Sequence, residues 1–175
     1  PRNNSNIISY VDARKLKTEN MVKLPVIVYN RTSRDSVIDD AIHLRGIIEQ
    51  QAIEEEERTG KYIRPIVLFQ AQPKNNNDND TFDKVKEILL GRGIPTEQIA
   101  IKTSKVNDLG KTNLLSRDCP IRYIITVNAL KEGWDCPFAY ILASLANKTS
   151  KVDVEQILGR ILRQPYARKH GAKLL

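Results

Sequence analysis

Hydrophobic residues along this chain follow two patterns, which alternate from one segment to the next. Compact apolar runs of five to seven residues are typical of strands that are buried on both sides, as in a parallel sheet. Apolar residues spaced three and four apart are typical of helices that cover such a sheet. The alternation predicts an α/β domain with three layers, in which a mostly parallel sheet is flanked by helices.

The predicted elements can be placed along the chain. Helices are predicted over residues 33–59 and 80–91 and from about residue 153 onward. Core strands are predicted over residues 65–71, 99–101, 121–127 and 138–144. Between them, residues 103–120 are expected to be irregular, with a short helix near Thr112–Leu115. Residues that act on a ligand are expected at the carboxyl edge of the sheet, where strands end and helices begin.

The chain is expected to hold one main domain, because 175 residues suit a single hydrophobic core. That domain is predicted to span residues 31–175. Residues 1–30 contain short β-rich segments and are predicted to form an N-terminal extension or docking strand, in which Pro25 favours an edge or a break. Because the chain opens at Pro1 without a methionine, we expect it to be a piece of a longer protein.

Composition and charge narrow the class of protein. The formal net charge is +7, and residues 121–175 hold nine Lys and Arg against four Asp and Glu, which is 9 − 4 = +5. A basic excess is compatible with a polyanionic partner, although many proteins without one share it. No apolar run has the length of a membrane span, and no targeting signal is evident. The two cysteines and two histidines form no metal or disulfide pattern, so we expect a reduced, metal-free, cytoplasmic protein.

Two short patterns suggest chemistry that their context does not support. Gly110-Lys111-Thr112 matches the end of a phosphate-binding P-loop, but the pattern requires a glycine at position 105, which is Lys105. The acidic run Glu54–Glu57 is expected to be a solvated helix face, since a metal site needs carboxylates from different elements.

A more specific pattern occupies residues 156–163, which read Gln-Ile-Leu-Gly-Arg-Ile-Leu-Arg. On a helix, Gln156, Arg160 and Arg163 fall at i, i+4 and i+7 and therefore share one face. Two guanidiniums and an amide on one face suit a multiply charged oxyanion such as a triphosphate. An amphipathic helix with a solvated basic side has the same spacing, so the pattern alone leaves both interpretations open.

Two segments together resemble motifs V and VI of superfamily 2 helicases. They are residues 128–137, which contain Glu-Gly-Trp-Asp, and residues 156–163. The Glu-Gly-Trp-Asp variant is most similar to the Res subunit of type III restriction enzymes and its DEAD/DEAH-type relatives. The strand segment at residues 64–72 is similar to motif IV. The resemblance is strong over residues 121–165, fair over 62–120 and thin before residue 60.

The resemblance implies the second, C-terminal RecA-like motor domain of an ATP-dependent DNA translocase or helicase. ATP with Mg²⁺ would be held mainly by the first RecA-like domain of the same protein, which this chain does not supply. Arg160 and Arg163 would face the γ-phosphate as arginine fingers, and Gln156 would contact the phosphate or the attacking water. Gly133 would let the backbone approach the nucleotide, and Asp135 would accept a hydrogen bond from a ribose hydroxyl.

The resemblance also implies partners. Double-stranded DNA is the expected polyanion, a modification methyltransferase subunit is a further implied partner, and a restriction nuclease would lie outside this chain. Asn128 and Lys131 are candidates for contacts to the DNA backbone, and a plain surface role fits both residues equally well. Many relatives have an arginine where this chain has Glu132, and Thr-Asp where it has Val127-Asn128, which puts a hydroxyl contact to a DNA phosphate in doubt.

Two other classes of protein remain open at this point. A non-catalytic RecA-like module would bind nucleic acid or protein and hydrolyse nothing. An autonomous nucleotide-binding enzyme would show ATP affinity in this chain alone, but no complete P-loop and no Asp-Glu-x-His pattern is present in the sequence.

Overall fold

The architecture of the chain is an α/β fold with a parallel sheet, as the hydrophobic pattern predicts. A computed structural model describes residues 33–72, 81–127 and 136–145. The elements in chain order are α1 (Arg34–Thr59), β1 (Ile66–Gln70), α2 (Phe82–Gly91), β2 (Ile99–Lys102), β3 (Tyr123–Thr126) and β4 (Ala139–Ser144). A short 3₁₀ turn, Thr96–Gln98, which the sequence pattern did not predict, precedes β2. The predicted N-terminal docking strand and the helix predicted from residue 153 lie outside the described residues.

The four strands form one sheet in the order β2-β3-β1-β4, and every neighbouring pair is parallel. The two central strands, β1 and β3, are buried at every position because core residues cover both sides of them. β4 pairs with β1 through one irregularity, where Tyr140 is the extra residue between the register pairs Ile66↔Ala139 and Val67↔Ile141. All four strands therefore end at the same edge of the sheet.

The two faces of the sheet are covered in different ways. One face packs against both helices, through Ile38 and Ala41 of α1 and through Val85 and Leu89 of α2. The other face packs against Tyr62 and against residues of the segment between β2 and β3, including Leu109, Cys119 and Ile121. Within the described ranges, the second face is thus covered by irregular chain, while the helices share the first.

The first helix begins and ends where the sequence predicts. Ser33 is the N-cap, and its hydroxyl accepts a hydrogen bond from the backbone N–H of Ser36 at 3.1 Å. Gly60 closes the helix with a positive φ of 72°, and its N–H donates to the carbonyl of Glu56 at 2.7 Å. A left-handed residue at this position favours glycine, because a side chain would strain the backbone there.

The short helix expected near Thr112–Leu115 is not formed, and this part of the prediction is wrong. The stretch is irregular, with a turn at Leu114 and Leu115. Asn113 accounts for the difference, because its side-chain oxygen accepts a hydrogen bond from the backbone N–H of Leu115 at 3.0 Å. Such a local bond offers the backbone an alternative to the helix.

The sequence suggested that the acidic run at the end of α1 forms a solvated helix face. The structure differs at Glu56, which is not solvated in this way. The side chain of Glu56 is only 15% exposed, and it pairs with Arg64 at 2.8 Å and with Arg117. Burial raises the pKa of Glu56, but hydrogen bonds from Arg117 and Arg64 lower it by more, so the pKa lies below its ordinary value. Glu56 is therefore ionised at neutral pH and acts as a structural anion.

Neither helix in the described ranges has the length and apolar composition of a membrane span.

Candidate functional site

The last residue of every strand is polar, and the four residues lie side by side. Lys102 of β2 is in register with Thr126 of β3, Thr126 with Gln70 of β1, and Gln70 with Ser144 of β4. With strands spaced about 4.8 Å apart, the four residues form a line about 15 Å long across the carboxyl edge of the sheet. We call this line the polar row.

The polar row lies on the face of the sheet opposite α1 and α2. Two residues earlier on each strand, the register aligns the apolar residues Ala100, Ile124, Leu68 and Leu142. These residues belong to the second apolar cluster, on the face opposite the helices. Because side chains on a strand alternate between faces, residues two positions apart share a face. The polar row is therefore the next layer above that cluster, at the point where the core meets the sheet edge.

Two side chains at this edge have buried polar atoms that make no hydrogen bond to the described residues. Thr126 is fully buried, and its hydroxyl oxygen has no hydrogen-bond partner within the described ranges. Gln72, two residues beyond the polar row, is 9% exposed, and its side-chain nitrogen likewise has no partner among them. The neighbouring pair is satisfied, since the hydroxyl of Ser144 lies 3.3 Å from the side-chain oxygen of Gln70 and donates to it. A buried polar atom without a partner costs about 1–3 kcal/mol, so unpaired atoms at a sheet edge point to a ligand site.

A tight turn next to the polar row keeps the edge of β2 in place. The N–H of Thr103 donates to the carbonyl of Val106 at 2.7 Å, and the hydroxyl of Thr103 accepts from the N–H of Val106 at 3.0 Å. Asp108 holds the segment after the turn against β2, because its carboxylate accepts a hydrogen bond from the N–H of Ile101 at 2.9 Å. The turn also carries the exposed Lys105. Lys102 and Lys105 place two positive charges at this end of the sheet, next to the one negative charge of Asp108.

Hydroxyls, carboxamides and ammonium groups determine what this edge can bind. They donate hydrogen bonds to phosphate or carbonyl oxygens, and the ammonium groups add positive charge, so they suit a polar or anionic ligand. Among the described residues there is no group of three or more metal-ligating side chains. The donors of the polar row can bind and orient a ligand.

The residues that the sequence analysis singled out for nucleotide and DNA contacts all fall outside the described residues. They are Asn128, Lys131, Gly133, Asp135, Gln156, Arg160 and Arg163. The described chain does fix where the first of these segments begins. β3 ends at Thr126, two residues before Asn128, and β4 ends at Ser144, before the segment that carries Gln156. Both segments thus follow strands that end in the polar row.

Sequence reasoning did not single out the polar row itself. The signal was present, because each apolar run closes on a polar residue, as in Ile-Val-Leu-Phe-Gln70 and Tyr-Ile-Ile-Thr126. What the sequence could not give is the register that aligns the four residues, since register depends on pairing between distant strands.

The Gly110-Lys111-Thr112 segment lies in successive turns and does not join a strand to a helix. The N–H of Gly110 donates to the carbonyl of Asn107 at 3.3 Å, and that of Thr112 to the carbonyl of Leu109 at 2.7 Å. Gly110 adopts a positive φ of 49°, and the buried Leu109 anchors the turn on the core. A P-loop needs a buried strand before it and a helix after it, and this segment has neither.

Comparisons with known proteins give no match for this chain, whether with protein-family models, with curated proteins or with solved structures. The helicase resemblance therefore rests on the sequence motifs alone.

Thr126→Val is expected to raise the free energy of unfolding by about 1 kcal/mol, because valine keeps the shape and removes a buried hydroxyl that has no partner. Thr103→Val is the matched control, and it should lower stability by about 1 kcal/mol, because the Thr103 hydroxyl accepts two backbone hydrogen bonds. Urea unfolding measures both. A loss of stability in Thr126→Val would show that its hydroxyl is already satisfied in the free protein.

Proposed function

We propose that this chain is the second RecA-like motor domain of an ATP-dependent DNA translocase or helicase of the type III restriction kind. In this proposal, ATP and Mg²⁺ bind mainly to a first RecA-like domain, and this chain completes the site from across the cleft. The observation that carries the proposal is that the segment resembling motif V follows directly on the carboxyl end of β3, beside the polar row. Ligands of open parallel sheets bind at this edge.

The roles proposed for the motif residues follow from the charge that develops during phosphoryl transfer. Negative charge spreads over the γ-phosphate oxygens, so guanidiniums inserted from a second domain lower the barrier. Arg160 and Arg163 would supply this charge, and Gln156 would orient the phosphate or the attacking water. Gly133 and Asp135 would hold the nucleotide backbone and ribose.

The polar row supports the part of the proposal that concerns DNA. Lys102 and Lys105 give this end of the sheet positive charge, and the side-chain amide of Gln70 can donate to phosphate oxygens while its oxygen accepts from the hydroxyl of Ser144. With Asn128 and Lys131 they would grip the DNA backbone without reading bases. DNA affinity should then fall steeply with salt, because phosphate contacts release counterions.

The proposal predicts that ATP turnover requires both motor domains, and this can be tested directly. ATP turnover is measured, with and without duplex DNA, for a protein that contains both motor domains and for this chain alone. We expect DNA-stimulated turnover in the former, and neither turnover nor tight ATP binding in the latter. DNA binding without ATP turnover in the two-domain protein would favour a non-catalytic interaction module, and hydrolysis by this chain alone would indicate an autonomous enzyme. Either result would overturn the proposal.

A further inference from the structure

The crossover from β1 to β2 shows how a helix is placed between two strands of this sheet. β1 and β2 are joined through α2, and β3 lies between them in the strand order. α2 packs on the face that α1 also covers, and it contacts β3, the strand that the crossover passes. A helix that joins two parallel strands here therefore lies over the strand between them.

α1 has the same relation to the other half of the sheet. It leads into β1, and it contacts β4 as well as β1. By analogy with α2, α1 passes over β4, which places the strand before it on the far side of β4. The handedness rule gives the same answer, because crossovers between parallel strands are almost always right-handed. Since α1 and α2 lie on one face, both crossovers must run in the same direction across the sheet.

The opposite end of the sheet is closed by the chain itself. The N–H of Ile101 donates to the carboxylate of Asp108, and the carbonyl of Ile101 accepts from the N–H of Asp108, both at 2.9 Å. The N–H of Ile99 donates to the carbonyl of Thr96. These are the backbone groups that a further strand beside β2 would need. A strand that precedes α1 is therefore excluded from the β2 end of the sheet.

The segment at residues 22–29 has the sequence of such a strand, and it lies outside the described residues. Val26-Ile27-Val28-Tyr29 is an apolar run of β-branched and aromatic residues, which is typical of strands. Residues 30–32 separate it from the N-cap Ser33, and this is an ordinary length for a connection from a strand to a helix. Pro25 has no N–H and suits an outermost strand.

We propose that residues 22–29 dock as a fifth, parallel strand on the outer edge of β4, so that the strand order becomes β2-β3-β1-β4 followed by this segment. Because the segment runs parallel to β4, its carboxyl end lies next to Ser144, the last member of the polar row. Residues 30–32, which lead into α1, then border the candidate ligand site. This docking does not require the chain to act as a motor domain.

Hydrogen exchange of the backbone amides, followed by mass spectrometry on the full chain, tests the docking. Amides over residues 26–29 should exchange at least about tenfold more slowly than those of an unstructured peptide of the same sequence. Their protection should be the same at about 1 µM and about 50 µM protein, because the strand belongs to the same chain. Exchange at the unstructured rate would overturn the proposal. Protection that rises with protein concentration would also overturn it, because it would indicate pairing between two copies.

Proline variants test which edge of the sheet holds the segment. Successive N–H groups of a strand point to opposite sides, and Pro25, which lacks one, fits a position that faces away from β4. Ile27 then faces the same way as Pro25, and Val28 faces β4. Val28→Pro should remove a hydrogen bond to β4 and accelerate exchange over residues 139–145 by about tenfold, while exchange over residues 99–102 stays within about twofold.

Ile27→Pro is the matched control for Val28→Pro. It also replaces a β-branched apolar residue, but it removes an N–H that faces away from β4, so exchange over residues 139–145 should stay within about twofold of the wild type. Equal effects of the two variants, or acceleration over residues 99–102 in place of 139–145, would contradict docking on β4. If Val28→Pro fails to fold, the exchange of residues 26–29 in the wild type still decides the question.

Discussion

Replacing Arg163 with alanine is expected to lower DNA-stimulated ATP turnover of a protein that contains both motor domains by about 10³–10⁵-fold. The reason is electrostatic, since the guanidinium is proposed to neutralise charge that develops on the γ-phosphate during the transfer. A group that acts mainly in the transition state changes kcat far more than the Kd of ATP. Steady-state turnover and ATP binding, measured on the same preparation, distinguish these effects.

The controls for this experiment come from the same basic region. Arg168→Ala removes an equal charge from a position outside the Gln-x-x-Gly-Arg-x-x-Arg pattern, and it should leave turnover within about twofold of the wild type. Arg160→Ala should resemble Arg163→Ala. If Arg163→Ala retained full turnover, the arginine-finger assignment would be wrong, and the solvated amphipathic helix would be the better interpretation of residues 156–163.

Replacing Phe69 with alanine should destabilise the fold by about 3–5 kcal/mol. Phe69 is fully buried on the central strand β1, and its ring stacks on that of Tyr123 with centroids 6.5 Å apart. Its removal leaves a cavity between β1, β3 and the helices, which the sheet cannot close without losing register. Because domains of this size are stable by about 5–15 kcal/mol, the variant should unfold at much lower urea concentration or fail to accumulate.

Ile47→Ala is the control for Phe69→Ala, because it also removes apolar atoms but from a side chain that is 44% exposed. Its effect on the free energy of unfolding should stay within about 0.5 kcal/mol. Comparable losses in the two variants would mean that the apolar cluster between the sheet and the helices is not the main source of stability.

The sequence predicted the regular elements well because their signals are local. An apolar run predicted β1, and a glycine that can adopt positive φ marked the end of α1 at Gly60. The segment between β2 and β3 was harder, since its conformation depends on side-chain hydrogen bonds such as that of Asn113. The role of Glu56 was also missed, because it depends on Arg117, which is 61 residues away in sequence.

The sequence indicated at which edge of the sheet a site should lie, but it did not indicate which residues form the polar row. The expectation that functional groups lie at the carboxyl edge follows from the alternation of strands and helices, and the polar row lies at that edge. Its members could not be named from the sequence, because Lys102, Thr126 and Ser144 become neighbours only through strand pairing. The assignments to Asn128, Lys131, Gly133, Asp135 and the residues of motif VI remain predictions.

The polar row limits which insertions the amino-acid sequence of this domain can accept. Its members are spaced by the backbone ladder, so a slip of one residue between β1 and β3 would turn Thr126 toward the helices and bring an apolar neighbour to the rim. The same slip would expose the core. Insertions in the loops beyond the polar row should be tolerated. A single insertion within a strand should disrupt both the polar row and the folding of the domain.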